Sequence, residues 1–110
     1  MEGPLAGTYA QHVKRPNNVL TPTIVLYEVY KIVKRQHSEE DALTAVAQMG
    51  KTHVVPLNDT IALTAADASL TYQLAMADAI VYATALLHKA KLVTSDADLS
   101  SLPGVVYHTK

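Results

Sequence analysis

Apolar and polar positions change period several times along this chain, and each change marks an element. Leu5, Tyr9 and Val13 recur at helical spacing behind the Gly3-Pro4 turn, which predicts a short first helix closed off by Pro16. Val19-Leu20 is a short strand candidate. Thr21-Pro22-Thr23 then offers a hydroxyl cap and a proline near a first turn. Ile24, Val25, Val29, Ile32 and Val33 give the helix from Ile24 to Arg35 a buried side, and Lys31, Lys34 and Arg35 sit towards its end, where cations suit the dipole. Ser38, followed by Glu39, Glu40 and Asp41, starts a further helix with Leu43, Val46, Ala47 and Met49 as its apolar side and Gly50 as its stop. Val54 to Leu57 is strand-like, with Pro56 marking an edge or an end. Asn58-Asp59 caps a helix from Thr60 to about Leu74, whose apolar line is Leu63, Ala66 and Leu70 and whose polar line is Thr60, Thr64, Asp67 and Thr71.

The last third is the most apolar. A helix runs from Met76 or Ala77 to about Lys89, a short buried strand spans Leu92 to Thr94, and residues 95–101 form a turn or short helix. Val105 to Tyr107 is a final strand after the Pro103-Gly104 turn. Helices alternating with short strands predict an α/β fold: a small parallel sheet with helices on both faces, built by residues 1–110 as one domain.

Composition narrows the chemistry. The chain has 110 residues, 49% of them apolar, with no Phe, Trp or Cys, so its core is aliphatic and Tyr is its only large ring. Without cysteine there are no disulfides, thiolate nucleophiles or Cys-type zinc sites, which suits a reducing compartment, and a cytoplasmic location is expected. No apolar run approaches a bilayer span, so no membrane partner is expected. A net charge of −1 gives no broad basic footprint for duplex nucleic acid. None of the five histidines forms a His-Glu-x-x-His pattern, no phosphate-binding glycine loop is present, and Thr94 and Ser95 lack a partner set for a serine triad.

Four acids stand apart from the rest. Glu28 shares one helical line with Ile24 and Ile32, where a carboxylate is partly desolvated unless it is paired. Asp78 opens the apolar helix, and Asp96 and Asp98 directly follow the Leu92–Thr94 strand. In open α/β sheets the carboxyl ends of strands and the adjoining helix starts form the ligand crevice. Each of the four is also read more plainly, as a first-turn charge, a turn residue or a solvated helix edge. Taken together they crowd one crevice. At about 4 Å and an effective dielectric near 20, each like pair costs on the order of 4 kcal/mol. Such a cluster holds a cation or keeps some carboxyls protonated. Oxygen-only ligands suit Mg²⁺ or Mn²⁺, which activates water and neutralises phosphate oxygens, as phosphodiester hydrolysis requires. Asp67, on the polar line, and Asp59, at a cap, are assigned to solvent.

Three stretches carry a resemblance. Thr21 to Lys31, Thr-Pro-Thr-Ile-Val-Leu-Tyr-Glu-Val-Tyr-Lys, resembles the Glu-bearing helix of PIN-domain nucleases. Met-Ala-Asp-Ala-Ile-Val-Tyr-Ala-Thr-Ala from Met76 resembles their third acidic motif, and Leu-Val-Thr-Ser-Asp-Ala-Asp-Leu from Leu92 their fourth. Order and spacing also fit over nearly the whole chain, most closely to the VapC-type toxins of toxin–antitoxin pairs. The resemblance implies a PIN-like three-layer α/β/α fold and an Mg²⁺- or Mn²⁺-dependent ribonuclease. Its catalytic and metal-site carboxylates would be Glu28, Asp78 and Asp96, with Asp98 as a further metal-site acid and Thr94 positioning a ligand or water. It also implies an RNA substrate, an antitoxin partner and a homodimer.

One departure bears on all of this. PIN domains begin with a central strand ending in Asp, and here no Asp precedes Asp41, while Glu2 lies on no strand pattern. The usual first strand is therefore expected to be missing, leaving an open slot in mid-sheet. A start codon placed too late is the favoured explanation, ahead of a truncated remnant or a partner chain that fills the gap. Weak or absent activity is expected for the chain as written. The alternative function is a catalytically inactive PIN-like binding protein that engages an antitoxin or dimerises.

Overall fold

The computed structural model describes residues 12–14, 19–94 and 105–107. Five strands and four helices follow one another as β1 (His12–Lys14), β2 (Val19–Pro22), α1 (Thr23–Gln36), α2 (Glu39–Met49), β3 (His53–Val55), α3 (Asp59–Tyr72), α4 (Met76–Leu87), β4 (Lys91–Thr94) and β5 (Val105–Tyr107). The sheet order is β3-β2-β1-β4-β5. β2 pairs parallel with β3, and β4 with β5, while β1 is antiparallel to both of its neighbours. The α/β class and the parallel strands are as expected, but residues 12–14 are strand rather than helix, and they occupy the mid-sheet slot expected to be open. The expected turn at residues 95–101 and the Pro103-Gly104 turn lie outside the described residues.

Local chemistry sets most boundaries. The Ser38 side chain accepts the Asp41 amide at 3.0 Å and Asn58 accepts the Ile61 amide at 2.8 Å, so both expected caps are made. α1 differs. Its N-cap is Pro22 with no side-chain cap bond, and Thr21 lies buried in β2, its hydroxyl bonded to that of Thr52. The Thr52 hydroxyl in turn donates to the Met49 carbonyl at 2.7 Å, tying the end of α2 to β2. α3 stops at Gln73, which takes a left-handed φ of 58°, and the Ser69 hydroxyl closes the turn on the Leu74 carbonyl. A second left-handed residue, Lys89, with the Ala90 amide bonded to the Ala85 carbonyl, delivers the chain into β4.

α4 is the centre of the packing. It touches β1, β2, β4, α1 and α3, and seven consecutive residues from Ala79 to Ala85 are buried. Leu20 of β2 and Leu92 of β4 are fully buried, as is Val29 of α1. No described helix is long and apolar enough to cross a membrane. Two expected apolar faces are corrected. On α3 the buried line is Ile61, Ala65 and Ala68, whereas Leu63 and Leu70 are 69% and 83% exposed. On α2 it is Ala42 that is buried, and Leu43 faces out. The side of each helix that meets its neighbours decides which residues are buried, and on α3 that side carries the large Ile61 with two alanines.

Candidate metal centre

Glu28 is placed by α1. Val25, Val29 and Val33, four residues apart, anchor one line of the helix in the core, and Glu28 stands beside that line, half-buried. Asp78 is placed by α4, where it is the third helical residue. The cap there, Ala75, makes no side-chain bond, and the first-turn carboxylate lies at a helix start, where the dipole favours a negative charge. α1 leaves the carboxyl end of β2 directly, and α4 turns through residues 88–90 into the amino end of β4. Both helices therefore run against the parallel strands and are in contact with each other.

The charge of Asp78 acts on Glu28. Burial holds the Glu28 carboxyl above its usual range, the negative charge of Asp78 raises it further, and Lys31 pulls the other way. The Lys31 ammonium sits 5.4 Å over the Tyr27 ring, on the exposed side of the helix, and so offsets Glu28 only in part. Glu28 and Asp78, fifty positions apart in the chain, are thus a half-buried pair of like-charged, hard oxygen donors. That is a donor set suited to Mg²⁺ or Mn²⁺. Among the described residues no group of three or more His, Cys, Asp or Glu is gathered into a metal-binding arrangement. Asp96 and Asp98 lie outside the described residues. Asp96 follows two positions after Thr94, the end of β4, which pairs with Tyr107. Asp67 and Asp59 are exposed, as expected of solvated charges.

Two features near this region escaped sequence reasoning. A groove of about 360 Å³ opens between α3 and α4, lined by Leu57, Ala62, Ala66, Met76, Ala79 and Ile80 among others. The small residues of α3 were its trace in the sequence, masked by the heavier Leu63–Leu70 line. Tyr72 and Tyr82 meet edge-on, with ring centroids 5.8 Å apart, and their contact joins α3 to α4. Only the folded pair of helices reveals it.

Comparison with known proteins fits this geometry. No curated protein matches the chain. A solved structure described as a toxin–antitoxin complex from Klebsiella pneumoniae is similar, at 30% identity and a TM-score of 0.66, over 77% of this chain and 69% of that one. The family model for the PIN domain matches residues 3–105. PIN domains are generally nucleases. With nearly its whole length matched, and the α/β architecture in place, this chain belongs to the PIN domain family.

Proposed function

We propose that the protein is a divalent-metal-dependent endoribonuclease of the VapC type, the cytoplasmic toxin of a toxin–antitoxin pair. The observation that carries this reading is the mutual electrostatic influence of Glu28 and Asp78 across two helices. Glu28 and Asp78 would hold Mg²⁺ or Mn²⁺ together with Asp96, and with Asp98 beside it. When bound, the ion activates water and offsets charge on a phosphate oxygen. Glu28 binds from α1 and Asp78 from the first turn of α4, so the rigid packing of these helices sets the spacing of the donors. The half-burial of Glu28 limits competing solvent at that side of the site.

The test is Mn²⁺-dependent cleavage of structured RNA, expected to be weak for the chain as written, with Asp78→Asn and Glu28→Gln each expected to abolish it. Equal cleavage by Asp78→Asn sinks the assignment. A melt with and without Mn²⁺ tests binding apart from turnover. Free ion at a hundredfold above Kd stabilises a native site by about 2.7 kcal/mol, and a chelator reverses it.

The second reading is a PIN-like binding protein without catalytic power. It is favoured by the central strand, which is His-Val-Lys and carries no acid. The similar solved structure is described as a complex of toxin with antitoxin. Here the α3–α4 groove, with Leu63 and Leu70 exposed nearby on α3, is suited to the apolar face of such a partner or of a second copy. No Mn²⁺ shift, together with retained antitoxin binding, decides for this reading.

A further inference from the structure

α1 concentrates positive charge on its outer side. Of the chain's nine lysines and arginines, Lys31, Lys34 and Arg35 share one stretch of this helix, and all three are exposed. The net charge of the whole chain is −1, so the concentration is local. Val25, Val29 and Val33 face the core, which puts Tyr27, Lys31 and Lys34 on the opposite side of the helix. The Tyr27 ring is 58% exposed there. The Lys31 ammonium lies 5.4 Å from its centre, and the Lys34 ammonium 5.3 Å from that of Tyr30. Lys34 also donates to the Tyr30 hydroxyl at 3.3 Å. Tyr30 packs partly against the core, so it fixes where Lys34 stands. The other partner of Lys34 is Glu39, 3.9 Å away, with both side chains largely in solvent. An exposed pair of that kind contributes little and gives way to a stronger anion. Lys31 acts electrostatically on Glu28, so the basic side borders the acidic pair.

We propose that the outer side of α1 binds single-stranded RNA, with Tyr27 stacking an unpaired base and Lys31, Lys34 and Arg35 receiving phosphates. The combination of ring and cations points to this occupant. Every base has a π-face that an exposed aromatic ring can meet, and the backbone brings a negative charge with each nucleotide. A duplex keeps its base faces inside the stack and meets only the cations. An acidic protein segment meets the same cations and has no flat partner for the ring. The dimensions agree. From Tyr27 to Lys34 the helix rises about 10 Å, which matches about three nucleotides at about 3.4 Å each. The lysines are also pre-placed, because each is held over a ring before any RNA arrives. The inference rests on the nuclease reading for its substrate class. It adds where the strand lies, along α1 beside Glu28, and that unpaired bases are selected.

The probe is a short labelled oligouridylate, alone or annealed to oligoadenylate, followed by fluorescence anisotropy with a chelator present so that no cleavage enters. The single strand should bind at least about tenfold more tightly than the duplex. Tyr27→Ala should weaken single-strand binding about tenfold and leave the salt dependence unchanged, because a base contact carries no counterion release. Tyr27→Phe keeps the ring and should bind as the parent does. Both variants change an exposed position, so the core stays intact. Lys34→Ala and Arg35→Ala should each reduce the slope of log affinity against log salt by about 0.7. Polyglutamate should compete poorly. Parental affinity in Tyr27→Ala, duplex binding as tight as single-strand binding, or displacement by polyglutamate at equal charge overturns the inference. Cleavage with Mn²⁺ added separates it from the nuclease reading. Binding that depends on Tyr27, without any cleavage, upholds this surface and counts against the nuclease. Cleavage by the parent, with Tyr27→Ala binding as tightly as the parent, upholds the nuclease and overturns this surface.

Discussion

α3 and α4 are consecutive, similar in length and nearly free of charge, yet the core treats them in opposite ways. α4 is buried without a break from Ala79 to Ala85, because sheet, α1 and α3 surround it. α3 buries Ile61, Ala65 and Ala68 and turns two leucines to the outside. Apolar content therefore measures how much could be buried, and the number of neighbouring elements decides how much is. The functional consequence follows from the same contrast. The helix held on all sides carries Asp78 and can keep a carboxylate at a set spacing from Glu28, while the helix held on one side offers apolar surface to a partner.

Truncations sharpen this contrast most. Tyr82→Ala on α4 should cost about 3–5 kcal/mol, the loss typical of a buried aromatic ring, measured by denaturant unfolding. On α3, Ile61→Ala should cost about 2–5 kcal/mol, whereas Leu63→Ala, two residues on, should stay within about 0.5 kcal/mol. Equal losses at Ile61 and Leu63 would break the assignment of faces. The helix starts differ next. Asn58→Ala removes the cap of α3 and should cost about 1 kcal/mol, while Ala75→Ser gives α4 the cap it lacks and should gain a fraction of that.

The smallest effect is a pH dependence that separates the carboxylate pair from the rest. The Glu28 proton is held more tightly in the folded than in the unfolded chain, because its folded value lies above 4.5. Its favourable contribution is therefore complete below that pH and is lost as pH rises through the raised folded value. Glu28→Gln should remove this dependence and leave the protein more stable at neutral pH in the absence of divalent cation. A steeper loss of stability with rising pH in the variant than in the parent contradicts the assignment.

Much of this was legible along the chain. Ser38 and Asn58 announce their helices through side chains that bond amides three residues on, a local interaction needing no tertiary partner. Val105–Tyr107 and the α4–β4 boundary follow equally from local apolar runs and turn chemistry. Glu28 stands out because a carboxylate interrupts an apolar line, whatever lies opposite. Thr21 shows the limit. Its hydroxyl fits a helix cap locally, but pairing with β3 draws it into the sheet, where Thr52 takes the bond instead.

The amino-acid sequence by itself determined where the helices and strands after Pro22 form, which acids sit among apolar neighbours, and the family to which the motifs point. Only the tertiary structure decided which side of α3 is buried, that Glu28 and Asp78 share one electrostatic environment, and that the central strand runs against its neighbours. The first set rests on interactions within a few residues of each position. The second rests on close approach between distant segments, where volume, pairing direction and charge are settled jointly by several elements.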